Sequence, residues 1–305
     1  MLYGRENCHG GDIYAGDVRL DFSASVSPLG TPKSVIDALT RVLPELYHYP
    51  DPRCRALVQA IAEFERVPQE RILCGAGASE LIYTYCEAVR PKRAMVLAPT
   101  FSEYAIALQR TGCEIVRHTL AAEQNFDLQE DLLPRLSREG IDALFLCNPN
   151  NPTGYLYTRK EMERIRDLVK KYDLFLFSDE VYREFIYTGS PYISACHLEG
   201  VEQNVVLIDS VSKRYSECGI RIGALITKNK KLRDAVMKFC QARLSPPLIG
   251  QIVAEASIDA PRSYSTEVYE EYIERRKCLI DGLNRIPGVY SPIPMGAFYT
   301  VARLP

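Results

Sequence analysis

The sequence has no tryptophan, only four histidines and no excess of either charge. Its 37 basic and 39 acidic residues give a formal net charge of −2, which leaves no electrostatic footprint for nucleic acid. The four histidines are scattered along the chain, unlike the ligands of a metal site. No apolar run approaches the roughly 18 residues that a membrane helix needs. From these absences we expect no metal, no nucleic-acid partner and no membrane association.

Cysteine is present, but the sequence lacks the CxxC spacing that is typical of metal and redox sites. The closest pair among the ten cysteines is Cys74 and Cys86. Cys74 and Cys147 lie inside the apolar runs RILCGAG and ALFLCNP, where reduced buried thiols are common. The first residues, MLYGRENCHGGDIY, are polar and lack the apolar segment of a signal peptide. We therefore expect a reduced, cytoplasmic protein.

Apolar runs of strand length alternate with helical patterns from about residue 70 onwards. One helix is expected to begin near Thr158, because Glu161 follows three positions later as in a capping box. The alternation predicts an α/β fold in which a mostly parallel central sheet has helices on both faces. The runs expected to form strands are RILCGAG, AMVLAPT, IDALFLCNP, LFLFSDE, NVVLIDS and GALIT.

The segment GAGASE follows the first of these strands, at the edge of the sheet where ligands of such folds bind. Its glycines let backbone N–H groups approach a phosphate at a helix N-terminus, although a plain tight turn explains the segment equally well. A dinucleotide fingerprint has a third glycine where this segment has glutamate, and a nicotinamide cofactor is therefore disfavoured.

Two further strand ends carry amides and carboxylates. In NPNNPTG the X-Pro steps force an extended or turn backbone, which presents Asn151 and its neighbours either as positioned amides or as a structural turn. The run LFLFSDE ends on Asp179 and Glu180, so at least one carboxylate lies at the mouth of a buried strand. An aspartate in that position is a site residue or a helix N-cap. Tyr182 follows three positions after Asp179.

Lys213 follows the apolar run NVVLID within the segment SVSKRYSECGIRIG. Burying an unpaired ammonium group is costly, so Lys213 is either a surface residue at the strand exit or a nucleophilic amine. A phosphate cradle, an amide, a carboxylate, a tyrosine and a lysine at neighbouring strand ends are what pyridoxal phosphate requires. The lysine forms the Schiff base with this cofactor, and the carboxylate keeps the pyridine nitrogen protonated.

The motifs NPNNPTG, SDEVY and SVSKRYSECGIRIG resemble those of the fold-type I pyridoxal-phosphate enzymes, in particular the class I/II aminotransferases. The resemblance runs from about residue 20 to the last residue. The segments QARLSPP and MGAFYTVARLP are similar to bacterial aspartate aminotransferases. The segments CHGGDIY, LDFSASVSPLG and HYPDP are closer to histidinol-phosphate aminotransferase and threonine-phosphate decarboxylase.

This resemblance implies the fold-type I architecture, with an incomplete small α+β domain beside the large one. Residues 1–44 are expected to form an N-terminal arm and a small-domain segment, and residues 45–260 a large cofactor-binding domain. Residues 261–305 are expected to form a long, charged connecting helix and the first strands of a small C-terminal domain, in GVYSPIPMGAFYTVARLP, whose remainder is absent.

By the same resemblance, Lys213 forms the Schiff base with pyridoxal 5′-phosphate and then moves a proton between the substrate Cα and the cofactor. Asp179 pairs with the pyridinium nitrogen. Asn151 and Tyr182 form hydrogen bonds with the phenolate oxygen of the cofactor, and Tyr104 in PTFSEY stacks on its ring.

The resemblance also assigns the groups that hold the phosphate, namely the backbone N–H groups of Ala78 and Ser79, the hydroxyl of Ser210 and the guanidinium of Arg221. Arg221 follows Lys213 by eight residues, and its planar guanidinium suits a phosphate. We expect this cation, together with burial, to lower the pKa of Lys213. Gly30 in SPLG and Asn151 face the substrate. Tyr49 in HYPDP reaches the phosphate of the neighbouring subunit, which implies a homodimer.

The implied function is an aminotransferase that transfers an amino group from an α-amino acid to a 2-oxo acid. A decarboxylase of a phosphorylated amino acid is the first alternative, because of the N-terminal resemblance. A cofactor-binding protein with little catalysis is the second, since the family runs longer than this chain and carries a carboxylate-binding arginine in the remaining part. A nucleotide-binding oxidoreductase depends on GAGAS alone.

Overall fold

A computed structural model of the chain describes residues 10, 11, 13, 14, 16–21, 24, 26, 27, 29–128, 132, 135, 136 and 140–305. The expected N-terminal arm, residues 1–44, lies partly outside the described residues. No helix among the described residues is long and apolar enough to cross a membrane.

The described residues form a sheet whose strands are β1 (Ile72–Gly75), β2 (Arg93–Ala98), β3 (Glu114–Thr119), β4 (Ala143–Cys147), β5 (Phe175–Asp179), β6 (Val205–Ser210) and β7 (Gly223–Ile226). Their order is β1-β7-β6-β5-β4-β2-β3. The pairs from β3 to β6 are parallel, whereas β7 runs antiparallel to both β1 and β6. The predicted mostly parallel α/β sheet is therefore confirmed.

The six predicted runs all form strands, and β3 is the strand that the sequence analysis did not predict. β3 lies at the edge of the sheet, and its residues Glu114, Arg117 and Thr119 are exposed. Because an edge strand is solvated along much of its length, it shows no continuous apolar run from which it could be predicted.

The α-helices whose bounds lie within the described residues are α1 (Lys33–Val42), α2 (Arg55–Glu65), α3 (Gly77–Val89), α4 (Glu103–Arg110), α5 (Arg159–Tyr172), α6 (Val211–Arg214), α7 (Lys230–Cys240), α8 (Leu248–Ile258) and α9 (Arg262–Asn284). α3, α4 and α7 pack on one face of the sheet with Phe145 and Phe177. α5 packs on the other face with Leu144 and Leu176, and α2 packs near β1 and β7. Neighbouring strand residues thus point to opposite cores, as the alternation of a strand requires.

The capping box predicted for α5 is present. The hydroxyl of Thr158 accepts a hydrogen bond from the backbone N–H of Glu161, and the carboxylate of Glu161 accepts one from the backbone N–H of Thr158 at 2.7 Å. Glu161 also accepts a hydrogen bond from the hydroxyl of Tyr155 at 2.7 Å. The start of α5 is therefore joined to the segment that follows β4.

The C-terminal segment matches the prediction only in its first half. The charged helix expected over residues 261–285 is α9, but the strands expected in GVYSPIPMGAFYTVARLP are wrong. This segment contains only isolated bridges, between Tyr290 and Arg303 and between Gly296 and Ile186. Pro292 and Pro294 interrupt it, and proline has no backbone N–H to donate to a strand ladder.

Candidate active site

A cavity of about 270 Å³ lies at the carboxyl ends of the parallel strands. Its wall contains every predicted site residue except Gly30 and Tyr49, namely Ala78, Ser79, Tyr104, Asn151, Asp179, Tyr182, Ser210, Lys213 and Arg221. These residues come from distant parts of the sequence, and the sheet brings them together because its parallel strands end at one edge.

One end of the cavity is built by close backbone contacts around the start of α3. Gly77 has a φ of +86°, and a Cβ at this position would lie 2.6 Å from Nη2 of Arg221. A Cβ on Gly223 would lie 2.6 Å from the backbone nitrogen of Ala78. Both positions therefore require glycine. The first N–H groups of a helix have no partner within the helix, so Ala78, Ser79 and Arg221 together present donors suited to an anion.

Two side chains hold this end of the cavity in place. The carboxylate of Glu80 accepts a hydrogen bond from the backbone N–H of Ala76 at 2.6 Å and forms an ion pair with Arg243. The guanidinium of Arg221 donates to the backbone oxygen of Cys218 at 2.8 Å. Glu80 stands where a dinucleotide fingerprint has its third glycine. In this chain its carboxylate fixes the loop that precedes α3.

Ser210 ends β6 and caps α6. Its hydroxyl accepts a hydrogen bond from the backbone N–H of Ser212 at 3.1 Å and lies 2.9 Å from the backbone oxygen of Ile222. Ser212 also lines the cavity. The position of Ser210 in the wall agrees with a role in phosphate binding, and that role stays a prediction.

Asp179 ends β5, and its side chain is buried. Tyr104 donates its hydroxyl hydrogen to Oδ2 at 2.6 Å, and the backbone N–H of Val181 donates to Oδ1 at 3.2 Å. Burial raises the pKa of Asp179 to about 6, although both hydrogen bonds oppose the shift. In the described part of the chain, no cationic side chain forms an ion pair with this carboxylate. A buried carboxylate that faces the cavity and forms no ion pair among the described residues fits the protonated nitrogen of a pyridine ring.

Tyr104 was predicted to stack on the cofactor ring, and the structure shows a further contact that the sequence did not reveal. Its side chain is fully buried, and its hydroxyl fixes one oxygen of Asp179. Its ring packs edge-on against that of Phe101, at 5.6 Å between centroids, and Phe101 also lines the cavity. The stacking role stays a prediction.

Lys213 lies in the short helix α6, with its side chain in the cavity wall. Its Nζ is 5.9 Å from the centroid of the Phe298 ring. Burial lowers the pKa of Lys213, Arg221 lowers it further, and Cys218 opposes the shift. The expected lowering is therefore confirmed. Within the described ranges, no carboxylate forms an ion pair with this amine, so no ion pair offsets this lowering.

Tyr182 and Asn151 lie in the same wall. The hydroxyl oxygen of Tyr182 is 2.9 Å from that of Tyr299, a residue that the sequence analysis did not single out. Tyr299 belongs to the segment GAFYTVARLP, which resembled aspartate aminotransferases, but nothing in its spacing indicated a contact with Tyr182. The predicted contacts of Tyr182 and Asn151 with a cofactor stay predictions.

Gly30 and Tyr49 lie outside the cavity wall. The backbone oxygen of Gly30 accepts a hydrogen bond from the hydroxyl of Tyr264 at 2.8 Å, and its φ of +69° favours glycine. The side chain of Tyr49 is 90% exposed, so it contributes nothing to the core of its own chain. The predicted roles of both residues stay predictions.

A buried cluster of ion pairs lies next to the turn that carries Lys213, and the sequence did not predict it. Arg183 lies 2.8 Å from Asp209, and Arg214 lies 2.9 Å from the same carboxylate. Both arginines also form ion pairs with Glu65 of α2. Asp209 precedes Ser210 and Arg214 follows Lys213, so this cluster holds both ends of the turn that carries the lysine.

The residues present fit pyridoxal phosphate. The backbone donors beside Arg221 suit its phosphate, the buried carboxylate of Asp179 suits its ring nitrogen, and the amine of Lys213 suits its aldehyde. Gly77 and Gly223 leave the space that a Cβ would fill at the phosphate end.

Comparison with known proteins gives a consistent result. A family model described as aminotransferase class I and II matches residues 18–305. The threonine-phosphate decarboxylase of Salmonella typhimurium is 35% identical over 82% of this chain and 69% of its own length. The aspartate aminotransferase of Bacillus subtilis is 27% identical over 93% of this chain and 75% of its own length. The crystal structure of an aromatic aminotransferase from Pyrococcus horikoshii superposes with a TM-score of 0.86 at 26% identity, over 92% of this chain and 78% of that one.

The fold and the site define a protein of the pyridoxal-phosphate-dependent fold-type I class. The chain belongs to the class I and II aminotransferase family. The predicted family, fold class and cofactor are therefore confirmed.

Proposed function

We propose that this protein is an aminotransferase that transfers an amino group from an α-amino acid to a 2-oxo acid. The observation that carries the proposal is the position of Lys213 and Asp179 in one cavity wall. Burial favours a neutral amine at Lys213. The buried carboxylate of Asp179 faces the same cavity, and it forms no ion pair with any cation of the described residues. Amino-group transfer requires both groups in one site.

Pyridoxal phosphate, when bound, supplies an aldehyde for the amino group and a ring that withdraws electrons from the substrate Cα. The chain binds and orients it at two ends. The N–H groups of Ala78 and Ser79, with the guanidinium of Arg221, bind the phosphate. Asp179 holds a proton at the ring nitrogen, which keeps the ring able to accept electrons.

Proton transfer at the substrate Cα is assigned to Lys213. Two observations support this assignment: burial lowers the pKa of Lys213, and Lys213 lines the same cavity as Asp179. Asn151 and Tyr182 bind the phenolate oxygen of the ring and so fix the orientation of the ring relative to Lys213.

The test is a half-reaction of the cofactor-loaded protein with single amino donors: the amino acids aspartate and glutamate, and the amino alcohol ester histidinol phosphate. We expect a change in the absorbance of the bound cofactor and the release of the matching oxo compound. The Lys213→Ala variant is expected to release no oxo compound. The control Lys228→Ala, which changes an exposed lysine, is expected to release it as the unchanged protein does. Release that is unchanged in Lys213→Ala would contradict the proposal.

Decarboxylation of a phosphorylated amino acid is the second candidate. It is favoured by the 35% identity to a threonine-phosphate decarboxylase, compared with 27% to an aspartate aminotransferase. Release of carbon dioxide from threonine phosphate without a 2-oxo acid would support it and contradict transamination. Uptake of the cofactor without either reaction would favour a binding protein with little catalysis.

We further infer that the active unit is a homodimer in which Tyr49 contacts the phosphate of the neighbouring subunit. The 90% exposure of Tyr49 supports this inference, because a tyrosine that extends from the surface is available to a second copy. A mixture of Tyr49→Phe and Lys213→Ala tests it. A heterodimer contains one complete site if Tyr49 acts between subunits, so mixing is expected to restore activity. No restoration by a mixture that forms heterodimers would contradict the inference.

We propose a cytoplasmic location because the described cysteines form no disulfide bonds. The nine cysteines among the described residues are free, and most of them are buried. Unpaired thiols are typical of proteins that work in a reducing compartment. Fractionation of the cells that make the protein tests this proposal, and recovery from an oxidising compartment would contradict it.

A further inference from the structure

Tyr299 forms a hydroxyl–hydroxyl contact with Tyr182 inside the cavity wall. The two oxygens are 2.9 Å apart, and the centroids of the two rings are 5.4 Å apart in an edge-to-face arrangement. Tyr182 is 4% exposed, and its hydroxyl has no other hydrogen-bond partner among the residues that the structure describes. The orientation of this hydroxyl therefore depends on Tyr299.

Each tyrosine hydroxyl has one proton to donate, so the hydrogen bond between Tyr182 and Tyr299 has two possible directions. If Tyr182 donates its proton to Tyr299, it has none left for a ligand in the cavity. If Tyr299 donates to Tyr182, the proton of Tyr182 is free to point into the cavity. Burial raises the pKa values of both tyrosines, so both hydroxyls keep their protons over the ordinary pH range.

We propose that Tyr299 is a positioning residue that donates its hydroxyl hydrogen to Tyr182 and so directs the proton of Tyr182 toward the phenolate oxygen of bound pyridoxal phosphate. The proposal rests on the assigned cofactor site, but it does not require that transamination rather than decarboxylation takes place. A hydroxyl that accepts one hydrogen bond is a stronger donor in the next. Tyr299 therefore strengthens the contact that Tyr182 makes.

The packing around Tyr299 supports a fixed orientation. Its ring lies 5.4 Å from that of Phe298, and Phe298 stacks on Tyr272 with ring planes 10° apart. Ala297, two residues earlier, is fully buried and has a φ of +56°. The aromatic cluster of Tyr272, Phe298 and Tyr299 thus holds the segment that carries Tyr299.

The same aromatic cluster provides a matched control. Tyr187 packs beside it, and its hydroxyl is buried without a hydrogen-bond partner among the described residues. The change Tyr187→Phe removes a hydroxyl from the same region without removing a contact to Tyr182. It reports any general effect of losing one phenol from this cluster.

The test measures the pH at which the absorbance of the cofactor covalently bound at Lys213 titrates, in the full chain. Donation to the phenolate oxygen favours the deprotonated form of this linkage. Tyr299→Phe is therefore expected to raise the titration midpoint, on the order of half a pH unit. Tyr182→Phe is expected to raise it more, and Tyr187→Phe to leave it unchanged.

The double variant separates a positioning role from a general structural one. If Tyr299 acts through Tyr182, adding Tyr299→Phe to Tyr182→Phe causes no further shift. An additive shift, or no shift in Tyr299→Phe alone, overturns the proposal. The titration needs bound cofactor but no turnover, so a failed half-reaction with a normal titration counts against the proposed function and not against Tyr299. Thermal unfolding of each variant shows that it is folded.

Discussion

Tyr104 donates its hydroxyl hydrogen to Oδ2 of Asp179 at 2.6 Å, in a position where both side chains are buried. Together with the backbone N–H of Val181, it fixes the carboxylate that faces the cavity. These neutral donors lower the pKa of Asp179 without neutralising its charge, and burial still raises the value to about 6. The carboxylate therefore remains available for a cation that enters the cavity.

Removing the hydroxyl of Tyr104 is expected to weaken cofactor binding. In Tyr104→Phe the carboxylate loses a donor, the pKa of Asp179 rises further, and its hold on a protonated ring nitrogen weakens. A loss of about 1–2 kcal/mol raises the dissociation constant of pyridoxal phosphate about 5- to 30-fold. Equilibrium titration of the apoprotein measures this constant.

The control for this change is Tyr85→Phe. Tyr85 belongs to the same apolar core as Tyr104, but its hydroxyl is buried without a hydrogen-bond partner among the described residues. We expect the affinity of Tyr85→Phe for pyridoxal phosphate to stay within about twofold of that of the unchanged protein, since this hydroxyl makes no contact with the site. Equal weakening in both variants would show that core packing, rather than the contact with Asp179, controls affinity.

A methyl group at Gly77 is expected to displace Arg221. The Cβ of Gly77→Ala would lie 2.6 Å from Nη2 of Arg221, so the guanidinium must leave its position at the phosphate end of the cavity. A hydrogen bond to a charged group contributes about 1.5–3 kcal/mol, and we expect cofactor affinity to fall at least about tenfold. Titration of the apoprotein with pyridoxal phosphate and with inorganic phosphate measures the loss.

Gly112→Ala distinguishes this displacement from backbone strain. Gly112 has a φ of +76°, similar to that of Gly77, but a Cβ there meets nothing within 4 Å. Both variants carry the strain of a left-handed conformation, about 1–2 kcal/mol for a residue other than glycine. Only Gly77→Ala is expected to lose affinity. If Gly112→Ala loses as much cofactor affinity as Gly77→Ala, displacement of Arg221 is not the cause of the loss.

The strand ends could be predicted from the sequence because parallel strands of one sheet finish at the same edge. Asp179 and Lys213 follow apolar runs, and the sheet places them around one cavity without further information. Arg221 precedes a strand instead, and only its spacing from Lys213 in the family pointed to it. The family resemblance then supplied the roles. Local patterns such as the capping box at Thr158 were equally accessible, because both partners lie within one turn of helix.

Other features of the site could not be predicted, because they depend on the direction of side chains that are distant in sequence. The contact between Tyr182 and Tyr299 spans 117 positions, and the contact between Tyr104 and Asp179 spans 75. Neither pair has a spacing that a sequence pattern can show. The expected C-terminal strands failed for a different reason. Pro292 and Pro294 remove ladder donors from the first part of the segment, and the proline-free part pairs, among the described residues, only through the isolated bridges at Gly296 and Arg303.

The buried ion cluster behind Lys213 is expected to contribute strongly to stability. Glu65→Gln leaves Arg183 and Arg214 with less negative charge around them, in a region where all these side chains are largely buried. Breaking a buried ion pair by removing one partner costs about 3–5 kcal/mol. Unfolding by urea measures the change in the free energy of unfolding.

An exposed ion pair gives the comparison for this cluster. Lys33 and Asp37 are 2.8 Å apart in α1, and their side chains are 85% and 48% exposed. Solvent screens such a pair, so Asp37→Asn is expected to change the free energy of unfolding by less than about 1 kcal/mol. If Glu65→Gln costs no more than Asp37→Asn, the cluster does not anchor the turn that carries Lys213.

Glu217 lies in the loop between Lys213 and Arg221, and it is expected to make stability depend on pH. Its side chain is 3% exposed, and its carboxyl oxygens lie 2.7 Å from the hydroxyl of Ser257 in α8. Burial raises the pKa of Glu217 from 4.5 to about 7. The stabilising contribution of the neutral form is complete below about pH 4.5 and is lost as the pH rises through about 7.

Glu217→Gln keeps a neutral group at this position at every pH. We therefore expect it to be more stable than the unchanged protein by about 3 kcal/mol near pH 8, and to show no such advantage near pH 4.5. The free energy of unfolding, measured by urea at several pH values, tests the dependence, and Glu163→Gln at an exposed position of α5 serves as the control. A constant difference between Glu217→Gln and the unchanged protein from acid to alkaline pH would falsify the assignment, because only a carboxyl that ionises within the fold produces a difference that grows with pH.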